Sequence, residues 1–391
     1  MPDSRRFADR RTGPLRGTFE AQLNHVDLVI VGGGFSGLTC AQAAAARGTS
    51  TLVLERKKNP GDSCHTTGLL VKEVADAWDF PQRLTRRIHG VRLYSPNLRW
   101  VDLISPGYYF LATDTPALMG WMTDRAIEAG AEVRLGTSYT GGTRDDSGIR
   151  LEQPALTARF LAGCDGPRSQ VARDFRLGRN VRFLTGVEAE FEGIGGIDPD
   201  RLHVFLDSDI APGYIAWVVP GVEFAQVGLA ARQPRVPRLG PLVEKISRLF
   251  NFDGARLVGR RGGLIPCGGT VQPQGRDRVL LLGDAAGTVS PLTAGGIHPA
   301  MQLGRAAGIA ISDYLLSSGP DPARVLRRLA PSFTFKQLLR LGFDFAPPNW
   351  LYDVALASQT ARRAAQMIFF HHRGLFSLEA WRDMLRTNPK R

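Results

Sequence analysis

The segment from Val26 to Glu55 constrains this chain more than any other. An apolar run, Val26 to Val31, enters Gly32-Gly33-Gly34-Phe35-Ser36-Gly37; an alanine-rich stretch follows to Arg47, and a second apolar run from Thr51 ends in Glu55. Two short apolar runs flanking a helical stretch read as one strand–helix–strand unit of a parallel sheet. Gly32, Gly34 and Gly37 occupy the G-x-G-x-x-G positions at its first joint. The first glycine permits a tight turn, the second lets backbone approach a pyrophosphate, and the third lets helix pack on strand. Phe35 and Ser36 complete the turn before a helix expected over Cys40 to Arg47, and the start of such a helix offers amides to phosphate oxygens. Glu55, with Arg56 beside it, stands where an acid accepts from ribose hydroxyls. An acid there suits FAD or NAD better than NADP.

Two later segments favour FAD. Gly163-Cys164-Asp165-Gly166-Pro167-Arg168-Ser169 and Leu282-Gly283-Asp284-Ala285-Ala286-Gly287 each read as a strand ending in an acid beside glycine. Asp165 and Asp284 can accept from ribityl hydroxyls, which FAD has and NAD lacks. Pro291, Gly295, Gly296 and Ile297 precede the next helix, where backbone amides meet the flavin pyrimidine oxygen.

At 391 residues the chain is long enough for two or three domains. Its 43% apolar and 22% charged content excludes wholesale disorder. The expected fold class is α/β: a discontinuous Rossmann-like FAD-binding domain with an inserted antiparallel β-sheet substrate domain and a C-terminal helical region. Residues 1–24 read as a mobile arm. The FAD-binding domain is expected from 25–88, 113–180 and 273–320, the substrate domain from 89–112 and 181–272, and the helical region over 321–391. No apolar stretch approaches the ~20 residues of a spanning helix. Ser4-Arg5-Arg6-Phe7 has a faint twin-arginine look, but the first apolar run belongs to the glycine-rich unit, so the expectation is a cytoplasmic protein. Cys40, Cys64, Cys164 and Cys267 are too widely spaced for a metal or disulfide framework.

GGGFSG, CDGPRS and GDAAGTVSPLTAGGI together resemble the three FAD signatures of the p-hydroxybenzoate-hydroxylase-type flavoproteins. GDAAGTVSPLTAGGIHPAM is most similar to the geranylgeranyl reductase family, and Pro212-Gly213-Tyr214-Ile215-Ala216-Trp217-Val218-Val219-Pro220 resembles that family's aromatic motif. The likeness covers residues 26 to 320. It implies FAD-dependent reduction of carbon–carbon double bonds in the prenyl chain of a lipid or quinone. NAD(P)H or a small redox protein would be a transient donor, because one dinucleotide fingerprint is present. The chain departs from the family at Thr293-Ala294-Gly295, where an acid is usual, and at Thr113-Asp114, in place of Asp-Arg.

By the same resemblance Cys64, in Gly61-Asp62-Ser63-Cys64-His65-Thr66-Thr67-Gly68, faces the reactive side of the flavin and donates a proton or orients the alkene. The alternative is a small buried residue without chemistry. Tyr214 and Trp217 either line an isoprenoid channel or belong to a sheet core. Residues 321–391 carry 12 basic and 5 acidic residues, with Trp350, Phe369, Phe370, Phe376 and Trp381 interleaved among Arg362, Arg363, Arg373 and Arg382. That mixture suits an anionic membrane surface or a solvated helical face. No nucleic-acid recognition module is visible, so no nucleic-acid partner is expected. Rival readings are an FAD monooxygenase acting on an aromatic substrate and a membrane-associated electron-transfer flavoprotein.

Overall fold

The computed structural model describes residues 25–370 apart from Ser147, Ser317 and Ser318. The arm expected over 1–24 lies outside the described residues, as do Arg373, Phe376, Trp381 and Arg382. The opening unit is β1 (His25–Val31), α1 (Phe35–Ala45) and β2 (Thr51–Leu54), with both strand pairs of β1 parallel. There follow β3 (Leu69–Val71), α2 (Lys72–Ala77), β4 (Thr85–Ile88), β5 (Gly90–Tyr94), β6 (Trp100–Ile104) and β7 (Phe110–Thr113). Helix α3 (Thr115–Glu128) starts on Asp114, whose side chain accepts from the Ala117 amide and caps it. Next come β8 (Glu132–Arg134), β9 (Gly142–Asp145), β10 (Gly148–Leu151), β11 (Leu156–Gly163) and α4 (Gln170–Asp174).

The middle of the chain is mostly strand: β12 (Phe183–Glu192), β13 (Arg201–Phe205), β14 (Ala216–Pro220) and β15 (Ala225–Arg232), then α5 (Leu239–Ile246) and β16 (Arg256–Pro266). The chain returns through β17 (Gly275–Arg276), β18 (Val279–Leu281) and the long α6 (Ile297–Leu315). It ends in α7 (Pro322–Leu329), α8 (Thr334–Asp344), α9 (Asn349–Ala357) and α10 (Gln359–Phe370).

Three sheets result. The first runs β17-β18-β11-β1-β2-β8, with β9 and β10 as a flap on β11. Its central strands are buried on both faces, and the period of two sorts their side chains into two cores. Leu28, Ile30, Val53, Phe160 and Leu280 face the cluster that holds α1 and α6; Val29, Val31, Leu52, Leu161 and Leu281 face the other. The second sheet runs β16-β12-β15-β14-β13-β5-β6. It is antiparallel except for one pair: β13 lies parallel to β5, because β5 arrives from the far amino-terminal part of the chain. The third is the small sheet β3-β7-β4. Strand β7 pairs with β3 and β4, so a boundary drawn after residue 112 cuts through a strand.

Helices α1 and α6 approach closely because α6 carries Gly304 and Gly308 on one face. A Cβ at Gly308 would stand 2.5 Å from the Cys40 carbonyl oxygen, and one at Gly304 would stand 2.5 Å from that of Ser36. Gly308→Ala should therefore destabilise the protein by about 1–3 kcal/mol through overpacking. Gly120→Ala on α3, where a Cβ meets nothing within 4 Å, should stabilise it by about 0.5–1 kcal/mol. Urea unfolding of the two variants checks the opposite signs.

Candidate active site

The carboxyl ends of β1, β2 and β11 meet at the glycine-rich turn. Gly32 takes φ +107°, and a Cβ on it would lie 2.3 Å from the Cys164 carbonyl oxygen. A Cβ on Gly37 would lie 2.0 Å from the Gly32 carbonyl oxygen, so both glycines are required for packing. Gly34 differs: its missing side chain points into open space. Glu55 is buried at the end of β2, where its Oε2 accepts from the Gly33 amide at 2.7 Å and its Oε1 from the Lys57 amide at 2.9 Å. Each oxygen keeps a further lone pair for a ribose hydroxyl. Arg56 beside it is exposed.

The second acid does something the sequence reading had not assigned. Asp165 Oδ2 accepts from the amides of Gln170 at 2.7 Å and Val171 at 3.1 Å, tying the end of β11 to the start of α4. Its Oδ1 is buried and has no hydrogen-bond partner among the described residues, and burial pushes the carboxyl up. Gly166 follows in a left-handed conformation, φ +84°.

Asp284 stands after β18 with its carboxyl pushed up to about 6 by burial. A Cβ on Gly296 would lie 3.6 Å from Asp284 Oδ1, so this loop closes directly over the acid. Gly283 takes φ +57° against Ser36, and Pro291 is buried. Helix α6 begins after Gly295 and Gly296 with no side-chain cap, leaving its positive end to another partner.

A cavity of about 930 Å³ joins these loops to the second sheet. One end is lined by Gly34, Phe35, Ser36, Gly166, Asp284, Gly295, Gly296 and Ile297. The other end is lined by Leu202, Val204, Trp217 and Val219 of the sheet, by Tyr214 just before β14, and by Phe333, Phe335, Ile368 and Phe369 from the carboxy-terminal region. Alternation explains the sheet wall: Ala216 and Val218 pack below against Leu242 and Ile246 of α5, while Trp217 and Val219 point up. Phe370, by contrast, is buried against Tyr108 and Phe110.

The residues present fit FAD. The open backbone at Gly34 admits a pyrophosphate, Asp284 and the unpartnered Asp165 Oδ1 are acceptors awaiting donors, and the uncapped start of α6 favours partial negative charge. Cys64 sits elsewhere. It is buried in the core cluster of the first sheet, donates to the Gly61 carbonyl at 3.2 Å, and has its thiol pushed up by burial. Its neighbours His65, Thr66 and Thr67 line the cavity.

One group of cavity residues was missed from sequence. Glu188 Oε2 accepts from the Trp217 indole at 2.7 Å and from the Thr67 hydroxyl at 2.6 Å. Arg261 pairs with Glu188 at 2.7 Å and also with Glu190, whose carboxyl burial pushes up. Its guanidinium donates to the Thr66 carbonyl at 3.0 Å. Glu188 and Glu190 stand two apart on one face of β12. Their signal was a pair of charges at inward positions of an alternating strand. Among the described residues there is no cluster suited to a metal ion.

Two predictions follow from the acid and the indole. Because the folded pKa of Asp284 is raised, its stabilising contribution is present below the ordinary value of 3.8 and lost as pH rises through about 6. Asp284→Asn should thus stabilise the apoprotein above pH 6 by up to about 3 kcal/mol, a gap that closes towards pH 4, while weakening FAD. Thermal midpoints across pH and FAD titration check both halves. Gly228 faces Trp217 across the β14–β15 pair, and a Cβ there would stand 2.6 Å from the indole. Gly228→Ala should displace Trp217 from Glu188 and red-shift tryptophan emission, with FAD retained.

Comparison with known proteins agrees with this geometry. Residues 27–135 match the FAD dependent oxidoreductase family model. A digeranylgeranylglycerophospholipid reductase of Methanopyrus kandleri is 30% identical over 312 residues, covering 72% of this chain and 76% of that protein. A geranylgeranyl diphosphate reductase of Rhodobacter capsulatus is 28% identical, covering 77% and 78%. In fold, a geranylgeranyl bacteriochlorophyll reductase-like protein from Thermoplasma acidophilum has a TM-score of 0.77 at 19% identity, covering 92% of this chain and 99% of that one. A flavin-dependent brominase shares the fold with a TM-score of 0.67 at 16% identity, covering 93% and 98%. The glycine-rich turn, the two acids at strand ends and this kinship agree: the chain belongs to the geranylgeranyl reductase family of FAD-dependent oxidoreductases.

Proposed function

We propose that this flavoenzyme reduces carbon–carbon double bonds in the prenyl chain of a lipid or quinone, working as a peripheral protein at an anionic membrane surface. The observation that carries the reading is the cavity, which runs from the FAD loops into an apolar wall built by β13, β14, α8 and α10. That wall has the chemistry to receive an isoprenoid, and relatives named for geranylgeranyl substrates support it. FAD supplies the hydride chemistry when bound. The proposed cofactor set is Gly32, Gly34, Phe35, Ser36, Gly37, Glu55, Arg56, Asp165, Gly166, Gly283, Asp284, Pro291, Gly295, Gly296 and Ile297.

The chain's own work is positioning, exclusion of water and proton supply. Tyr214 and Trp217 form the aromatic wall, and the Glu188 carboxylate holds the indole in one orientation. A protonated thiol at Cys64 has its hydrogen committed to Gly61, whereas His65, Thr66 and Thr67 present protic groups to the cavity. His65 Nδ1 lies 2.8 Å from the Gly262 carbonyl, so Nδ1 donates there and Nε2 is the nitrogen left for exchange. NAD(P)H or a small redox protein is the proposed source of electrons. No helix among the described residues is long and apolar enough to cross a membrane, which fits contact from one side.

Incubation of the reduced holoenzyme with a geranylgeranyl lipid, once anaerobically and once in air, tests the reading. A product that gains a hydrogen pair for each double bond, without consumption of dioxygen, is expected by mass spectrometry. A product that gains oxygen instead would move the enzyme to the monooxygenases. Cys64→Ala should keep yellow FAD and turnover within about twofold while losing about 1 kcal/mol of stability; a large loss of turnover at unchanged FAD content would return the thiol to proton delivery.

A further inference from the structure

Helix α8 is built inside out. Phe335, Leu338, Leu341 and, one residue past its end, Phe345 recur at three- and four-residue spacing and so share one face. That face is exposed: Leu338 keeps 64% and Phe345 86% of its surface. The inward face carries Arg340, only 2% exposed. Its guanidinium donates to the Gly213 carbonyl at 2.5 Å and to Asp344 at 2.8 Å, and lies 5.8 Å from the centre of the Tyr214 ring. Rolling α8 over to bury the apolar stripe would withdraw Arg340 from the Gly213 carbonyl and the Tyr214 ring, so a buried cation holds the stripe outward. Helix α9 continues the surface with Trp350 and Val354, 63% and 60% exposed.

The charge around this stripe is mostly positive, apart from the exposed Asp209 beside Asn349 at the start of α9. Arg327 and Arg328 end α7, and Arg362 and Arg363 lie in α10; all four are exposed. Between residues 321 and 370 the exposed acid is Asp321 alone, which caps α7, while Asp344 and Asp353 are half-buried. The stripe is also continuous with the cavity, because Phe335 and Lys336 line it. An apolar face at helical spacing, rimmed by arginines, is the pattern of a helix lying in a membrane interface. A water-facing helix would carry the reverse.

We infer that the outward faces of α8 and α9 form a docking surface for an anionic lipid bilayer. Leu338, Phe345 and Trp350 enter among the acyl chains, and Arg327, Arg328, Arg362 and Arg363 meet the headgroups. The inference rests on the prenyl-lipid reading and deepens it: a substrate embedded in the bilayer would reach the cavity past Phe335, without crossing water.

Flotation of the full-length holoenzyme with phosphatidylcholine vesicles, with and without phosphatidylglycerol, tests it. The wild type should float with the anionic vesicles and keep a bound fraction at high salt, because insertion is not screened. Leu338→Glu/Phe345→Glu/Trp350→Glu should reduce that binding by about tenfold or more. Arg362→Glu/Arg363→Glu should leave insertion but make binding weaker on anionic vesicles. Trp350→Phe should remove the blue shift of tryptophan emission on vesicles. Each variant should keep its FAD and its turnover of a detergent-dispersed prenyl substrate. Vesicle binding by the triple variant equal to wild type would overturn the surface, as would a wild type that ignores both vesicles. A wild-type dimer that the triple variant splits into monomers would give the face to a second copy instead. Activity on the dispersed substrate is scored separately, so loss of the prenyl reading and loss of the docking surface give different results.

Discussion

The bond from the Gly33 amide to the Glu55 carboxylate sets the position of nearly everything else at the site. It spans 22 residues and closes the βαβ unit at the point where β1 turns into α1. With Oε1 of the same carboxylate on the Lys57 amide, the ends of β1 and β2 are tied by one buried group. Gly32, pressed against the Cys164 carbonyl, adds the end of β11 to the same knot. A charge buried this way is costly unless backbone donors meet it, and here two do. The turn is therefore preorganised before any cofactor arrives, with Gly34 left facing open space.

The second sheet shows how one layer serves two purposes. Its lower face packs Phe205, Val218 and Leu229 against α5 and supplies stability. Its upper face meets the carboxy-terminal helices across the cavity, and there the strands place Leu202, Val204, Trp217 and Val219 along the same wall as Glu188 and Arg261, the latter also paired with Glu190. Two carboxylates and one guanidinium in an apolar wall are a poor source of stability, since desolvation offsets most of their attraction. Orientation is the better explanation. Glu188 reaches the indole on β14 and Thr67 on the loop after β2, so it locks an aromatic wall from one sheet to a loop from the other.

Legibility in the sequence followed the range of the interactions. Local signals were clear: the apolar runs on either side of Gly32 and the glycines that join strand to helix there. Register and sheet order were not, because they depend on partners far away in sequence. Nothing in Gly90 to Tyr94 foretells a parallel pairing with Arg201 to Phe205, and nothing in Phe110 to Thr113 announces a separate three-stranded sheet. At the site, the glycines and Asp284 were readable because their backbone chemistry is local. Cys64 was placed by likeness to a loop, and the fold packs it into the core two residues short of the cavity-lining threonines. Asp165 was read as a ligand group, yet half of its carboxylate serves the start of α4. Glu188 and Arg261 escaped because a charge on an alternating strand gains meaning only once the opposite strand is known.

The carboxy-terminal helices show the same dependence on distant partners. From sequence, the arginines of residues 321–391 and their aromatics read as a single mixed surface. In the fold they separate: Phe369 and Phe370 turn inward, one to the cavity and one to a cluster with Tyr108 and Phe110, while Arg340 goes beneath α8 to the Gly213 carbonyl. Arginine can do this because its planar fork satisfies several acceptors at once, where a lysine would leave some unmet. Burying that cation makes the outward stripe of α8 a consequence of the Tyr214 segment, the same segment that builds the aromatic wall. The cavity and the exposed apolar face are thus two sides of one packing decision. A change that loosens Arg340 should disturb both together, since Tyr214 and the α8 stripe are held by the same guanidinium.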